Sequence, residues 1–191
     1  MRLLSRAVIA LAALLPLAAP AADAPNEEGK QYKLVMHPAP GPANAHVVVE
    51  EFFWYGCPHC YAFEPLLNDW LAKKPADVDF VRVPNTLGRA EGLLHSKLYY
   101  ALEELNLLPK LHGAVFQAIH DERRPMSTEA DLQAFVTDKG GVMPDVFSAA
   151  FNGNSVDAKV RRAESLARTY GVASTPTLVV DGRWMLNATM A

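Results

Sequence analysis

The chain has 191 residues, with 18 basic and 21 acidic side chains and a formal charge of −3. That length suits one domain of ordinary size, or one domain carrying an insertion. The mild acidity and the lack of any long like-charge run argue against the basic face that nucleic-acid binding requires, so no nucleic-acid partner is expected.

Arg2 and Arg6 precede an almost purely apolar run over 7–17, and Ala18, Ala19, Pro20, Ala21 and Ala22 follow. This is the layout of a secretory signal peptide. A membrane span would need about 20 apolar residues. The Ala19-Pro20-Ala21 frame places cleavage before Ala22, so 1–21 is set apart from the fold as a leader. The remaining chain carries 16 basic and 21 acidic residues. It has no internal repeat and no second apolar stretch of membrane length, and a soluble exported protein is expected.

Residues 31–36 make a short edge strand. The prolines and glycine of 37–44 make a loop. Residues 46–53 (HVVVEEFF) are β-branched and aromatic, which marks a buried strand. Tyr55-Gly56 breaks it, and the motif Cys57-Pro58-His59-Cys60 follows at once. Over 61–73, Phe63, Leu66, Leu67, Trp70 and Leu71 recur at the spacing of one helix face. Residues 78–83 (VDFVRV) form a second strand, ended by Pro84. From 89 to about 151 the helical period dominates. A helix over 93–106 faces Leu94, Leu98, Ala101, Leu102 and Leu105 inward, and a second covers 111–119. A third, capped by Ser127 or Thr128, stops at Gly140-Gly141, and Pro144 begins a fourth. Ser155 is expected to cap a long helix through Tyr170, with Gly171 as its C-terminal cap. Strands at 177–180 and 183–186 flank Asp181-Gly182, a strong hairpin signal. The order describes an α/β fold in which a single sheet is split by a helical insertion.

The two cysteines are the only ones in the chain, and they stand three positions apart. Exported proteins use disulfides as staples. A bridge this short closes almost no loop, however, and removes little entropy from the unfolded chain. The pair therefore reads as a reagent. Thiol–disulfide exchange needs two sulfurs within bridging reach, one of them a thiolate. A cysteine placed between a strand and a helix start meets unpaired N–H groups and the helix dipole, both of which favour an anion. Pro58 suits the first helical turn, and His59 can place positive charge nearby. A structural zinc site would need two further ligands. His37, His46, His95, His112 and His120 are not paired at ligand spacing, so no metal is expected.

The segment Phe52-Phe53-Trp54-Tyr55-Gly56-Cys57-Pro58-His59-Cys60-Tyr61-Ala62-Phe63-Glu64-Pro65 closely resembles the DsbA family of periplasmic thiol:disulfide interchange proteins. Gly29-Lys30-Gln31-Tyr32 resembles the family's start, and 166–187, with Val179-Val180-Asp181-Gly182 and Leu186-Asn187, its end. The resemblance implies a thioredoxin fold with an inserted α-helical domain: residues 22–86 and 155–191 as the two parts of the thioredoxin-like domain, 87–154 as the insertion. It implies a periplasmic protein that donates a disulfide to newly exported, unfolded cysteine-containing proteins and is reoxidised by a DsbB-like membrane protein. Cys57 is then the exposed nucleophile and Cys60 the buried resolving cysteine of a redox-active Cys57-Cys60 disulfide. Pro58, His59 and a buried acid at Glu51 tune the pair, and Arg82 falls near the cation that pairs with that acid. Thr175-Pro176 becomes a cis-proline loop that binds substrate backbone. No cofactor is implied, and a monomer is expected.

Two features depart from the family's pattern. Threonine precedes the cis-proline where the family's best-known member has valine, a residue choice shared with reductases and isomerases of this fold. The chain also stops where the family usually continues into a final helix, so either the sequence is truncated or an apolar surface is left uncovered. A reductase or isomerase of the same fold, and a chaperone-like binding module with dispensable cysteines, remain the competing functions.

Overall fold

A computed structural model describes residues 26–38, 46–187 and 190. The leader and its cleavage point lie outside the described residues, as does most of the 37–44 loop. Five strands form one mixed sheet: β1 (Lys33–Leu34), β2 (Val47–Phe53), β3 (Val78–Pro84), β4 (Thr177–Val180) and β5 (Trp184–Asn187), in the order β1-β5-β4-β2-β3. Among these strands β2 and β3 run parallel, and the other pairings are antiparallel. The helices among the described residues are α1 (Pro58–Leu71), α2 (Ala90–Glu104), α3 (Leu108–His120), α4 (Glu129–Gly140), α5 (Pro144–Phe151) and α6 (Asn154–Tyr170). This is the α/β, thioredoxin-like architecture expected from the sequence. Helices α2 to α5 lie in the chain between β3 and α6.

Strand β2 is the structural axis. Successive strand side chains point to opposite faces, so neighbours on β2 serve different cores. Phe52 packs in one cluster with Val83, Val179, Met185 and Ala163, Ala167 and Tyr170 of α6. Phe53 packs in the other with Tyr55, both cysteines and the helical block, including Leu98, Phe116, Leu132 and Phe147. The same alternation separates the two acids before them. Glu51 is fully buried, while Glu50 is half-buried on the face of Tyr170 and Arg162.

Local chemistry sets most element ends. Thr128 closes α4 with a reciprocal capping box to Asp131, and Gly141 ends it at φ 75°. Asp181 (φ 51°) and Gly182 (φ 60°) turn the β4–β5 hairpin in the left-handed region that such turns need. The Asp181 carboxylate also accepts from Val48 N at 2.8 Å, fastening the turn to β2.

Three expectations need correction. Helix α6 begins at Asn154 with Gly153 as its cap, so Ser155 lies inside the first turn. Gly153 N bonds Ala150 O at 3.0 Å, closing the turn out of α5 and starting the next helix sooner. Helix α2 begins at Ala90 rather than at Leu93, because three residues with little apolar signal are already helical after Arg89. On α1 the buried stripe is Cys60, Glu64 and Leu67, whereas Leu66 is 67% and Trp70 37% exposed. Those two instead border a shallow apolar cleft with Val49, Phe63 and Leu178.

Gly92 marks a close approach. A Cβ there would lie 2.4 Å from Thr86 O and 2.8 Å from Thr86 Cα, both backbone atoms that cannot swing aside. Alanine normally gains up to about 1 kcal/mol over glycine inside a helix. Here Gly92→Ala is expected to destabilise the protein by about 1–3 kcal/mol through overpacking. A urea midpoint that stays the same or rises would show that the 86–89 loop yields.

Candidate active site

The exit of β2 delivers the cysteines to a helix mouth. Trp54 O accepts from Cys57 N at 3.0 Å, tightening the turn through Tyr55 and Gly56. Gly56 is required there, since a Cβ would sit 2.3 Å from the Trp54 ring. Cys57 is the extended N-cap residue of α1, Pro58 occupies the first turn, and Tyr61 N closes on Cys57 O at 3.1 Å. The motif is thus the first turn of the helix rather than a loop ahead of it.

No oxygen side chain caps α1. The Cys57 sulfur takes that place. The Cys60 thiol donates to it, the Thr175 side chain adds to this, and the backbone N–H groups of Cys60 and His59 follow; burial opposes them, and the Cys57 thiol is held down at about 5. Cys60 is fully buried, and its hydrogen bond to Cys57 together with burial pushes its thiol far up. Both cysteines are free, so this is the dithiol state. The His59 side chain is exposed, and its backbone N–H acts on the sulfur.

The Thr175–Pro176 peptide bond is cis. It stands against the dithiol, with Cys57 Sγ donating to Thr175 O at 3.4 Å. Trp54 is half-buried, stacked 6.1 Å from His95, with the Arg89 guanidinium 5.0 Å from its ring centroid.

Beneath the motif lies a buried ionic cluster. The β2–β3 register makes Glu51 and Arg82 direct partners. Arg82 Nε lies 3.3 Å from Glu51 Oε2, but neither atom has a hydrogen-bonding alignment with any described group. Burial raises the Glu51 carboxyl to about 8, with the Arg82 charge pulling down and Glu64 pushing up again. Arg82 is engaged more fully by Glu64, whose two oxygens each lie 3.2 Å from its Nη2. Glu64 also receives His112 Nε2 at 3.3 Å and Asn68 Nδ2 at 3.3 Å. Burial alone would raise Glu64, but His112 and Arg82 outweigh it and hold the carboxyl below its ordinary range. The Tyr55 hydroxyl and His112 Nδ1, 2.8 Å apart, complete the chain of contacts.

The structure therefore brings Cys57, Pro58, His59, Cys60, Thr175 and Pro176 to one place, with Glu51 and Arg82 in the core below. Sequence reasoning missed Glu64 and His112. Tyr55, next to the reactive turn, is fully buried. At the exposed C-terminal end of α3, Tyr61 donates to the Asp121 carboxylate, Tyr61 stacks on His120, and His120 Nε2 meets Tyr55 O at 2.8 Å. Among the described residues no group of three or more His, Cys, Asp or Glu side chains is placed to hold a metal ion.

Comparison with known proteins agrees with this geometry. A family model described as a DSBA-like thioredoxin domain matches residues 82–190. The thiol:disulfide interchange protein DsbA of Pseudomonas aeruginosa is 37% identical over 182 residues, covering 95% of this chain and 84% of its own. The protein of the same name from Burkholderia cepacia is 40% identical over 177 residues, 92% of this chain and 81% of its own. Among solved structures, P. aeruginosa DsbA superposes with a TM-score of 0.77 at 36% identity, covering 85% of this chain and 83% of that one. The oxidoreductase DsbA of Xylella fastidiosa gives 0.78 at 32% identity, covering 85% and 88%. The chain belongs to the DsbA family of thioredoxin-fold thiol:disulfide interchange proteins.

Proposed function

We propose that this protein donates its Cys57–Cys60 disulfide to unfolded, newly exported cysteine-containing proteins in the periplasm. The observation that carries the reading is the asymmetry of the pair: Cys57 is held down at about 5 at the mouth of α1, while Cys60 is buried and pushed up. A client thiolate attacks Cys57 Sγ, the Cys57–Cys60 bond breaks, and Cys60 leaves with the electron pair and takes up a proton. A second client thiolate then attacks the client sulfur of the mixed disulfide, and Cys57 departs as a stabilised thiolate. The client gains one disulfide and the protein becomes the dithiol seen here. A DsbB-like membrane partner restores the bond.

Three further assignments support that sequence. The loop at Thr175 and cis Pro176 offers backbone to an extended client segment beside the sulfur. Pro58 and the His59 N–H shape the helix mouth that stabilises the thiolate. Glu51, buried with its carboxyl raised to about 8, holds the proton that Cys60 needs on leaving. Export is supported by the leader-like sequence of 1–21. Among the described residues no helix is long and apolar enough to cross a membrane.

The test is thermodynamic. Stabilisation of the anion favours the dithiol over the disulfide, which makes the disulfide an oxidant. The Cys57 thiol is depressed from 9 to about 5 in the folded dithiol. Its contribution to stability is full above pH 9, falls by about 1.4 kcal/mol per unit below that, and is gone below about 5. Cys60 stays protonated through this window, and the disulfide form has no such term. The reduced protein should thus melt above the oxidised protein at pH 7, with the gap closing towards pH 5. Thiolate absorbance should titrate with a midpoint near 5. Equilibration with glutathione buffers should give a dithiol far more resistant to oxidation than thioredoxin's; a potential as low as thioredoxin's rejects the donor direction.

A further inference from the structure

His112 takes no part in the sulfur chemistry, yet it is 9% exposed and engaged through both ring nitrogens. Tyr55 comes to it from the β2–α1 turn at 2.8 Å, Glu64 from α1 at 3.3 Å, and the Tyr99 ring from α2 at 6.0 Å; Arg82 on β3 is the remaining charged neighbour. Phe53 and Phe116 pack its faces edge-on. The hydrogen-bonding inventory leaves one consistent tautomer. Glu64 is an anion that only accepts, so Nε2 carries the hydrogen. Nδ1 is then the acceptor for the Tyr55 O–H, which has no other hydrogen-bond partner among the described groups. Protonating Nδ1 would turn the Tyr55 oxygen into an acceptor and strand its hydrogen in a fully buried site, at a cost.

We propose that His112 is a positioning residue for the dithiol reaction: clamped by Tyr55 as the neutral Nε2–H tautomer, it fastens Glu64 to Arg82 and so divides one guanidinium charge between Glu64 and Glu51. Two carboxyls compete for a single cation in this core. The one that also receives His112 and Asn68 takes the larger share, with two short contacts against one misaligned contact for Glu51. Glu51, left short of positive charge, keeps its proton at neutral pH and has it available for Cys60. Burial lowers the His112 ring below its ordinary range, which keeps it neutral there as the clamp requires. The Glu64–Arg82–His112 side of the cluster borders a cavity of about 460 Å³, giving it contact with solvent protons that Glu51, absent from the cavity wall, does not have.

The inference rests on Glu51 as the proton holder, but its test does not pass through turnover. Nitrogen NMR of the reduced, full-length protein should show His112 with a protonated Nε2 and a bare Nδ1 across pH 6–8. Tyr55→Phe, nearly isosteric, should release the clamp and raise the His112 midpoint. Carbon NMR of labelled glutamate should find the Glu51 midpoint lowered by roughly half a unit or more in His112→Leu, as Glu64 gives up its hold on Arg82. Should His112→Leu fail to fold, the Tyr55→Phe titration decides alone. A protonated Nδ1 in the parent protein, an unmoved His112 midpoint in Tyr55→Phe, or an unmoved Glu51 midpoint overturns the proposal. Because carboxyl shifts are read directly, the result stands apart from whether Glu51→Gln slows disulfide transfer.

Discussion

A Cys57→Ser protein is expected to transfer no disulfide to a reduced client, whereas the Cys57 thiolate of Cys60→Ser should attack the disulfide of an oxidised client, expel one client thiolate and accumulate as a mixed disulfide. The two sulfurs differ in access and in charge. Cys57 carries the little exposure the pair has, 7%, and it alone is stabilised as an anion by the helix mouth. A serine hydroxyl there can still cap the helix, so the fold should survive the change. Without Cys60, nothing within the protein attacks a bond formed at Cys57, and release waits for an external thiol. Alkylation followed by gel shift separates free client, crosslinked client and oxidised client. Client maturation that persists in Cys57→Ser would mean that redox chemistry is not the function, and the binding-module reading would take its place.

Arg82→Met is expected to cost about 3–5 kcal/mol, the usual consequence of removing one partner from a buried ion cluster. The Arg82 side chain is 16% exposed and lies against the carboxyl groups of both Glu51 and Glu64. Its loss leaves Glu51 and Glu64 facing each other in the core with no cation between them. Both carboxyls would then sit above their unfolded value of 4.5. A raised carboxyl favours the folded state below its unfolded value and loses that advantage as pH rises, so the damage should be smallest near pH 4 and grow towards pH 8. Urea midpoints at the two pH values measure this. Adding Glu51→Gln to Arg82→Met should recover part of the loss at pH 8 by removing one of the two carboxyls left without a cation.

What could be read from the sequence was what neighbouring residues decide between themselves. The β-branched run of β2, the Asp181-Gly182 turn, the Thr128 cap and the Gly141 stop each carry their cause within a few positions. The Cys-Pro-His-Cys motif is equally local, since a helix mouth is made by the residues that form it. The acid cluster is different. His112 reaches Glu64 across 48 positions and Tyr55 across 57, and only the docking of α3 against α1 brings them together. One local sign was available: Glu64 stands four residues after Cys60, on the stripe it shares with Leu67, so a charge was bound for the interior. The apolar spacing of Leu66 and Trp70 hid it by suggesting a different buried face. Tyr55 carries no local sign of its burial, because an aromatic beside a reactive cysteine is as natural on a rim as in a core; the Phe53 and Phe116 rings decide the matter.

Because Phe52 and Phe53 stand side by side on one strand and feed opposite cores, β2 is a party wall. Neither the α6 side nor the helical block can loosen without disturbing the surface the other is built upon. Amide exchange along β2 should therefore report only global opening, with both sides melting in a single transition. The reactive pair hangs from the end of that wall, so any strain that accompanies its oxidation is felt by both halves of the molecule together.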